Sequence, residues 1–122
     1  MNARWDYIAV GEGDIERELE YFHQIETMDK HEIRKRTPIY SGVLKYFPDA
    51  IAEIAQCSLI GNEQHNPGTE LHWDRSKSGD EHDALTRHIM EAGTLDDDGI
   101  RHSTKAAWRA LAALQKEIEA DQ

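Results

Sequence analysis

Two sets of residues in this chain have the types and spacing to do chemistry. The first is the run His-Asn-Pro-Gly-Thr-Glu-Leu-His-Trp-Asp-Arg-Ser-Lys-Ser at 65–78. It sets Arg75 and Lys77 two apart, just before a segment that reads as helix. Cations beside a helix N-terminus attract phosphate. His72 and Trp73 offer flat rings to a nucleobase, and Gln64 and Asn66 can hydrogen-bond a base edge or a ribose. His65 opens the run, and Arg87 and His102 complete the candidate nucleotide-binding set. Arg34, Lys35, Arg36, Arg75, Lys77 and Arg87 are expected to form a basic island in an acidic protein.

The second set is acidic. Asp49 and Glu53 are four apart, and Asp80 and Asp83 three apart, so on helices each pair shares a face. If those helices are antiparallel neighbours, the four carboxylates converge and need a hard cation: Mg²⁺, or Mn²⁺ in its place. In so acidic a chain, such spacings also arise as ordinary solvated surface. His88 lies on the apolar face of the helix carrying Asp83, and these two are the candidate catalytic residues. A satisfied core histidine is the plainer reading of His88. Five of the seven histidines fall between 65 and 102.

These groups must be held by something. The chain has 122 residues, 39% hydrophobic and 31% charged, which suits one globular domain rather than a disordered chain. Residues 1–13 alternate at Trp5, Tyr7, Ile8 and Val10, as a short strand or extended arm would. A helix is expected over 14–30, with Ile15, Leu19, Phe22 and Ile25 inward, and the basic run 31–36 closes it. Pro38 interrupts. Tyr40, Tyr46 and Phe47 are expected to pack beneath the connection that follows. A second helix starts at Pro48, buries Ile51, Ile54, Ala55 and Ser58 or Leu59, and stops at Gly61-Asn62. The long join 62–78 leads to a third helix, capped by Ser78 or Asp80 and running to about Ala92, with Ala84, Leu85, His88 and Ile89 inward. Asp96-Asp97-Asp98-Gly99 reads as a turn. Ser103 is expected to cap a fourth helix over 104–119, whose inner stripe is Ala107, Leu111, Leu114 and Ile118. The expectation is therefore an all-α bundle of about four helices with a long functional loop between the second and third. It forms a single domain over 1–122, with an N-terminal arm and helix (1–37) and a helical core (38–119).

The totals narrow the partners. With 14 Lys+Arg against 24 Asp+Glu, the formal charge is −10, which repels a nucleic-acid polymer and anionic lipid. A local cation cluster can still hold a small anion. The lone cysteine, Cys57, excludes an intrachain disulfide and reads as core. No apolar run approaches the roughly 20 residues that span a bilayer. The opening residues lack the features of a signal peptide, so a cytoplasmic protein without a membrane partner is expected.

Taken together, the runs 40–68 and 71–102 and the Ala-Ala-Trp-Arg-Ala-Leu-Ala segment at 106–112 resemble a phage-borne family over roughly residues 38–115. That family carries the N-terminal domain of dATP/dGTP diphosphohydrolase. The features shared are an Asn-Pro-Gly turn after a helix, Trp-x-Arg-x-Lys-Ser, Asp-Ala-Leu-x-Arg-His, and Asp-Gly-x-x-His before an alanine-rich helix. The resemblance implies deoxynucleotide chemistry in the infected host cell. A MazG-like enzyme of this sort cleaves a purine dNTP to dNMP and pyrophosphate, with Mg²⁺ on paired carboxylates of two helices. Asp80-x-x-Asp83 has the family's spacing, whereas Asp49-x-x-x-Glu53 is one residue longer. Two readings stay open. In one, a metal-dependent pyrophosphohydrolase uses Glu53, Asp80, Asp83 and Asp49. In the other, a non-catalytic protein sequesters a nucleotide, such as a host defence signal. A virion or interaction module is the plainer third. Both main readings expect a homo-oligomer, because a small helical domain has little room for an internal pocket.

Overall fold

The computed structural model describes residues 12–122. The expected strand or arm therefore lies almost wholly outside the described residues. The fold is all-α, with no strand among the described residues. Its contacts divide it into two units, Met1–Val43 and Leu44–Gln122.

The first unit holds α1 (Glu12–Thr27) and α2 (Lys30–Lys35). The expected single helix is broken at Asp29, whose carboxylate accepts the Glu32 N–H at 2.9 Å and starts α2 afresh. Arg34 and Lys35 occupy the last turn of α2, where cations suit the helix dipole. Ile15 and Leu19 are exposed rather than inward.

The second unit is built from α3 (Pro48–His65), α4 (Glu81–Met90) and α5 (His102–Ala120). α3 and α4 pack principally on α5, which serves as their common spine. Pro48 occupies the first turn of α3, as its missing N–H allows. The expected stop at Gly61-Asn62 does not occur: the helix continues to His65. Asn62 is buried, and its amide donates to Thr69 O at 3.3 Å, so this residue ties the helix to the loop after it. That loop begins with a tight turn. Thr69 donates its N–H to Asn66 O at 3.2 Å, Pro67 stands second, and Gly68 takes φ 83°, a left-handed value that favours glycine. α4 ends before Gly93, also left-handed at φ 91°.

The packing face of α5 differs from the expected stripe. Ala106 and Ala112 are buried on α5, as is Ala84 on α4, while Leu111, Leu114 and Ile118 stay about half exposed. Alanines have no bulk to hold helices apart, so the buried side of α5 accepts close packing by α3 and α4, and the leucine side turns away from it. The helix also starts at His102 rather than after Ser103, and no side chain caps it. Ile89 and Leu59, expected inward, are exposed, as are Tyr40, Tyr46 and Phe47. No helix among the described residues is long and apolar enough to cross a membrane.

The alanine contact makes a direct prediction. Ala106→Leu forces three added carbons into a filled interface and is expected to lower stability by about 1–3 kcal/mol in urea denaturation. Ala110→Leu, on the exposed side of α5, should change it by less than about 0.5 kcal/mol.

Candidate functional site

α3 and α4 each pack on α5, and the loop 66–80 is tied to the end of α3 by Asn62 and to α5 by Arg75, Trp73 and Ser78. One anchor of this arrangement is Trp108 on α5, whose indole N–H donates to Ser58 Oγ on α3 at 2.7 Å. A second is the edge-to-face contact of Trp108 with Trp73 from the loop, with ring centres 5.7 Å apart at 84°. A third is polar and buried. Ser78 and Glu81 share a short hydrogen bond, and Lys116 of α5 donates to the Ser78 carbonyl and to Glu81 Oε1. Burial alone would raise the Glu81 carboxyl, but the bonds from Ser78 and Lys116 hold it below its ordinary range.

Between these anchors lies a pocket of about 340 Å³, within the usual size range for small-ligand sites. α3 contributes Cys57, Ser58, Gly61, Asn62 and His65 to its lining. The loop contributes Asn66, His72, Trp73, Asp74, Lys77 and Ser78, while His88, Asp96, Lys105, Trp108 and Arg109 close the other side. Two polar atoms of lining residues are buried without a hydrogen-bond partner: the acceptor Asn62 Oδ1 and the donor Trp73 Nε1. Such groups are uncommon in folded proteins, and each costs about 1–3 kcal/mol unless something meets it.

The loop reading of the sequence is thus partly realised in space. His65, Asn66, Trp73, Lys77 and His88 line one pocket. Lys77 Nζ is held at its rim by His65 O at 3.0 Å and Asn66 Oδ1 at 3.1 Å. Arg75 is not brought to it. Its guanidinium lies over the Trp73 ring at 4.0 Å and forms a two-pronged bridge to Glu119, at 2.5 and 3.0 Å. That bridge, with help from Gln115, holds the Glu119 carboxyl down to about 2. One face of Trp73 is therefore covered by Arg75. Arg87 pairs with Asp80 at 3.4 Å, outside the pocket lining. Arg34, Lys35 and Arg36 belong to the first unit.

The two acidic pairs meet different partners. Glu53 accepts from Arg101 at 3.2 Å and from Thr104 at 3.4 Å. Asp80 faces Arg87 and Arg109, each at 3.4 Å. Asp49 and Asp83 are exposed in the first turns of α3 and α4. The assumed α3–α4 adjacency is replaced by packing of each helix on α5. Among the described residues, Asp49, Glu53, Asp80 and Asp83 do not form a cluster able to share a metal ion.

Other residues take on a significance that their spacing did not signal. Lys105 of α5 donates to Asp96 Oδ2 at 2.7 Å and Asp98 Oδ2 at 2.8 Å, so the acidic turn wraps an ammonium instead of facing water. Gln64 also donates to Asp98, at 3.2 Å, linking the turn to α3. Gly99 takes φ 83° to close the turn. The Lys105 ammonium lowers the Asp98 carboxyl to about 2, assisted by the Ile100 N–H and Gln64. His102, buried at 6% exposure, brings Nδ1 to 2.9 Å from His88 Nδ1. Burial, then the nearby His102 and Lys105, push the His88 imidazole below its ordinary value. The Cys57 thiol is pushed up by burial, which agrees with its reading as an unreactive packing residue. No family model, no curated protein and no solved structure was found to match the chain.

The acidic turn carries a pH signature. Because the folded-state carboxyl of Asp98 sits near 2 rather than the unfolded value of about 3.9, its contribution is complete above pH about 4 and is lost as pH falls toward 2. Asp98→Asn is therefore expected to lower the melting temperature at pH 7 and to flatten the acid limb of stability between about pH 4 and 2. Melting curves across that range for both proteins check it.

Proposed function

We propose that this chain is a phage nucleotide-handling protein that binds a nucleotide in the pocket between α3, α5 and the loop 66–80. The observation that carries the reading is the pair of buried, partnerless atoms belonging to residues of one pocket: the acceptor on Asn62 and the donor on Trp73. A nucleobase edge presents an N–H beside a ring nitrogen or carbonyl, the complements of these two atoms; both are now shielded from solvent, so the base reaches them through a small shift of the covering side chains. Lys77 and the imidazoles of His65 and His72, at the loop side of the pocket, suit the phosphate end.

Binding with the ligand left intact is the form we favour over hydrolysis. Glu53 and Asp80 already face cations, and the four expected Mg²⁺ ligands stand on helices that each pack against α5. In this reading Mg²⁺ or Mn²⁺ arrives, if at all, on the phosphates of the nucleotide. The half-exposed stripe Leu111, Leu114 and Ile118 supports a homo-oligomer.

Thermal-shift and calorimetric titration with a panel of ribo- and deoxynucleotides, with and without Mg²⁺, tests the reading. At least one nucleotide should bind and be recovered unchanged by chromatography. Trp73→Phe keeps the ring and removes the N–H, and is expected to weaken that nucleotide about tenfold. Lys77→Ala should weaken the nucleotide but leave the matching nucleoside almost unaffected. Silence across the whole panel would defeat the proposal. Conversion to monophosphate, abolished by Asp83→Ala, would restore the hydrolase reading. For the oligomer, light scattering should give a mass above the 14.0 kDa of one chain, and Leu114→Glu should reduce it to that value.

A further inference from the structure

We propose that His88, Asp96 and His102 form a site for one transition-metal ion, of the zinc type, bordering the pocket. The three residues come from separate segments: His88 from α4, Asp96 from the following turn, and His102 from the first position of α5. One ligating atom from each lies within 4.8 Å of the others. That convergence needs the chain to fold back on itself, and it does so through Asp96 N–H to Ile100 O at 2.8 Å and His102 N–H to Thr94 O at 3.1 Å.

The imidazole geometry is specific. His88 Nδ1 and His102 Nδ1 stand 2.9 Å apart, so both cannot carry a proton there. Either one donates to the other, or both lone pairs face a single cation. Zinc–nitrogen bonds of about 2.0–2.1 Å place two ligand nitrogens about 2.9–3.4 Å apart, depending on the angle at the metal. The observed spacing already lies in that range, so an ion enters by a small spreading of two rings.

The surroundings agree. The other ring nitrogen of His102, Nε2, lies 3.7 Å from Glu91 Oε2, beyond hydrogen-bond distance but near enough for that carboxylate to move in and orient a metal-bound histidine. Asp96 keeps coordinating capacity, since each of its oxygens has one partner: Asp97 N–H at 2.7 Å and Lys105 at 2.7 Å. Lys105 is the competing cation. It also holds Asp98 and keeps that partner when Asp96 turns to a metal. Around the site, Glu91, Asp96 and Asp98 face Lys105 and Arg109, so the local balance stays negative and favours a cation.

Two imidazoles and one carboxylate suit zinc, cobalt, nickel or copper better than Mg²⁺ or Ca²⁺, which take oxygen ligands. Three protein ligands also leave a coordination position, and His88 and Asp96 both line the pocket to which it can open. The inference does not rest on the nucleotide reading, and its test uses the metal alone.

Untagged protein is stripped with chelator, dialysed against Zn²⁺ or Co²⁺, and assayed for bound metal. One ion per chain is expected. The Co²⁺ form should show the visible absorption of a low-symmetry site with nitrogen ligands, and Zn²⁺ should raise the melting temperature. His88→Asn and Asp96→Asn change half-buried groups, and each should weaken binding at least tenfold and cancel the thermal gain. Circular dichroism confirms that each variant is folded. Failure to bind one equivalent, or undiminished affinity in either folded variant, overturns the site. The second result would place the ion on other histidines.

Discussion

Burying the Glu81 carboxylate constrains everything around the pocket. A charge removed from water is tolerated only when it is paired and hydrogen-bonded. Here the partners are Ser78 from the end of the loop and Lys116 from α5, with Arg109 at 4.0 Å. Ser78 is buried too, and its carbonyl is bonded by the same lysine. The start of α4, the end of the loop and the last third of α5 are thereby fixed to one another at a single point. Breaking it would leave a buried carboxylate without its partners, so this end of the loop is held to α4 and α5.

With that end fixed, the other end follows. Asn62 holds Thr69, and the Asn66–Thr69 turn reverses the chain. The loop between these two fixed points spans the gap between α3 and α4, and Trp73 closes it by packing edge-on against Trp108. The pocket is the space that this bridging leaves. Its polar inventory is therefore mixed, because it is assembled from the flanks of several elements. Lys105 is shared by Asp96 and Asp98, and the histidines at 65, 72 and 88 line the same space from different segments.

How much of this the residues announced depends on range. Pro48, Gly93 and the periodicities of 48–65, 81–90 and 102–120 mark local backbone preferences, and those helices stand where they were expected to within a few residues. The 65–78 run was legible as a functional loop because its polar, aromatic and turn residues are contiguous, and several of them do line the pocket. The carboxylate pairs were not, since their convergence required α3 beside α4, and the alanines of α5 instead draw α4 onto α5. Arg75 looked free for a phosphate because its partner, Glu119, lies 44 residues away in sequence. Gly61-Asn62 looked like a helix stop. The helix passes through because Asn62 finds a backbone acceptor in Thr69. The histidine pair was invisible for the same reason: 14 residues separate two rings that fold into contact.

The two indoles have a practical meaning. Trp73 stands under the Arg75 guanidinium at 4.0 Å, and Trp108 lies against it, so both chromophores sit in the wall of the pocket. Tryptophan emission is sensitive to nearby charge and to water, and the chain has three such residues in all. The molecule thus carries its own optical gauge. A change in what occupies the cavity, or in the salt link that holds the guanidinium, registers as light without any label being attached.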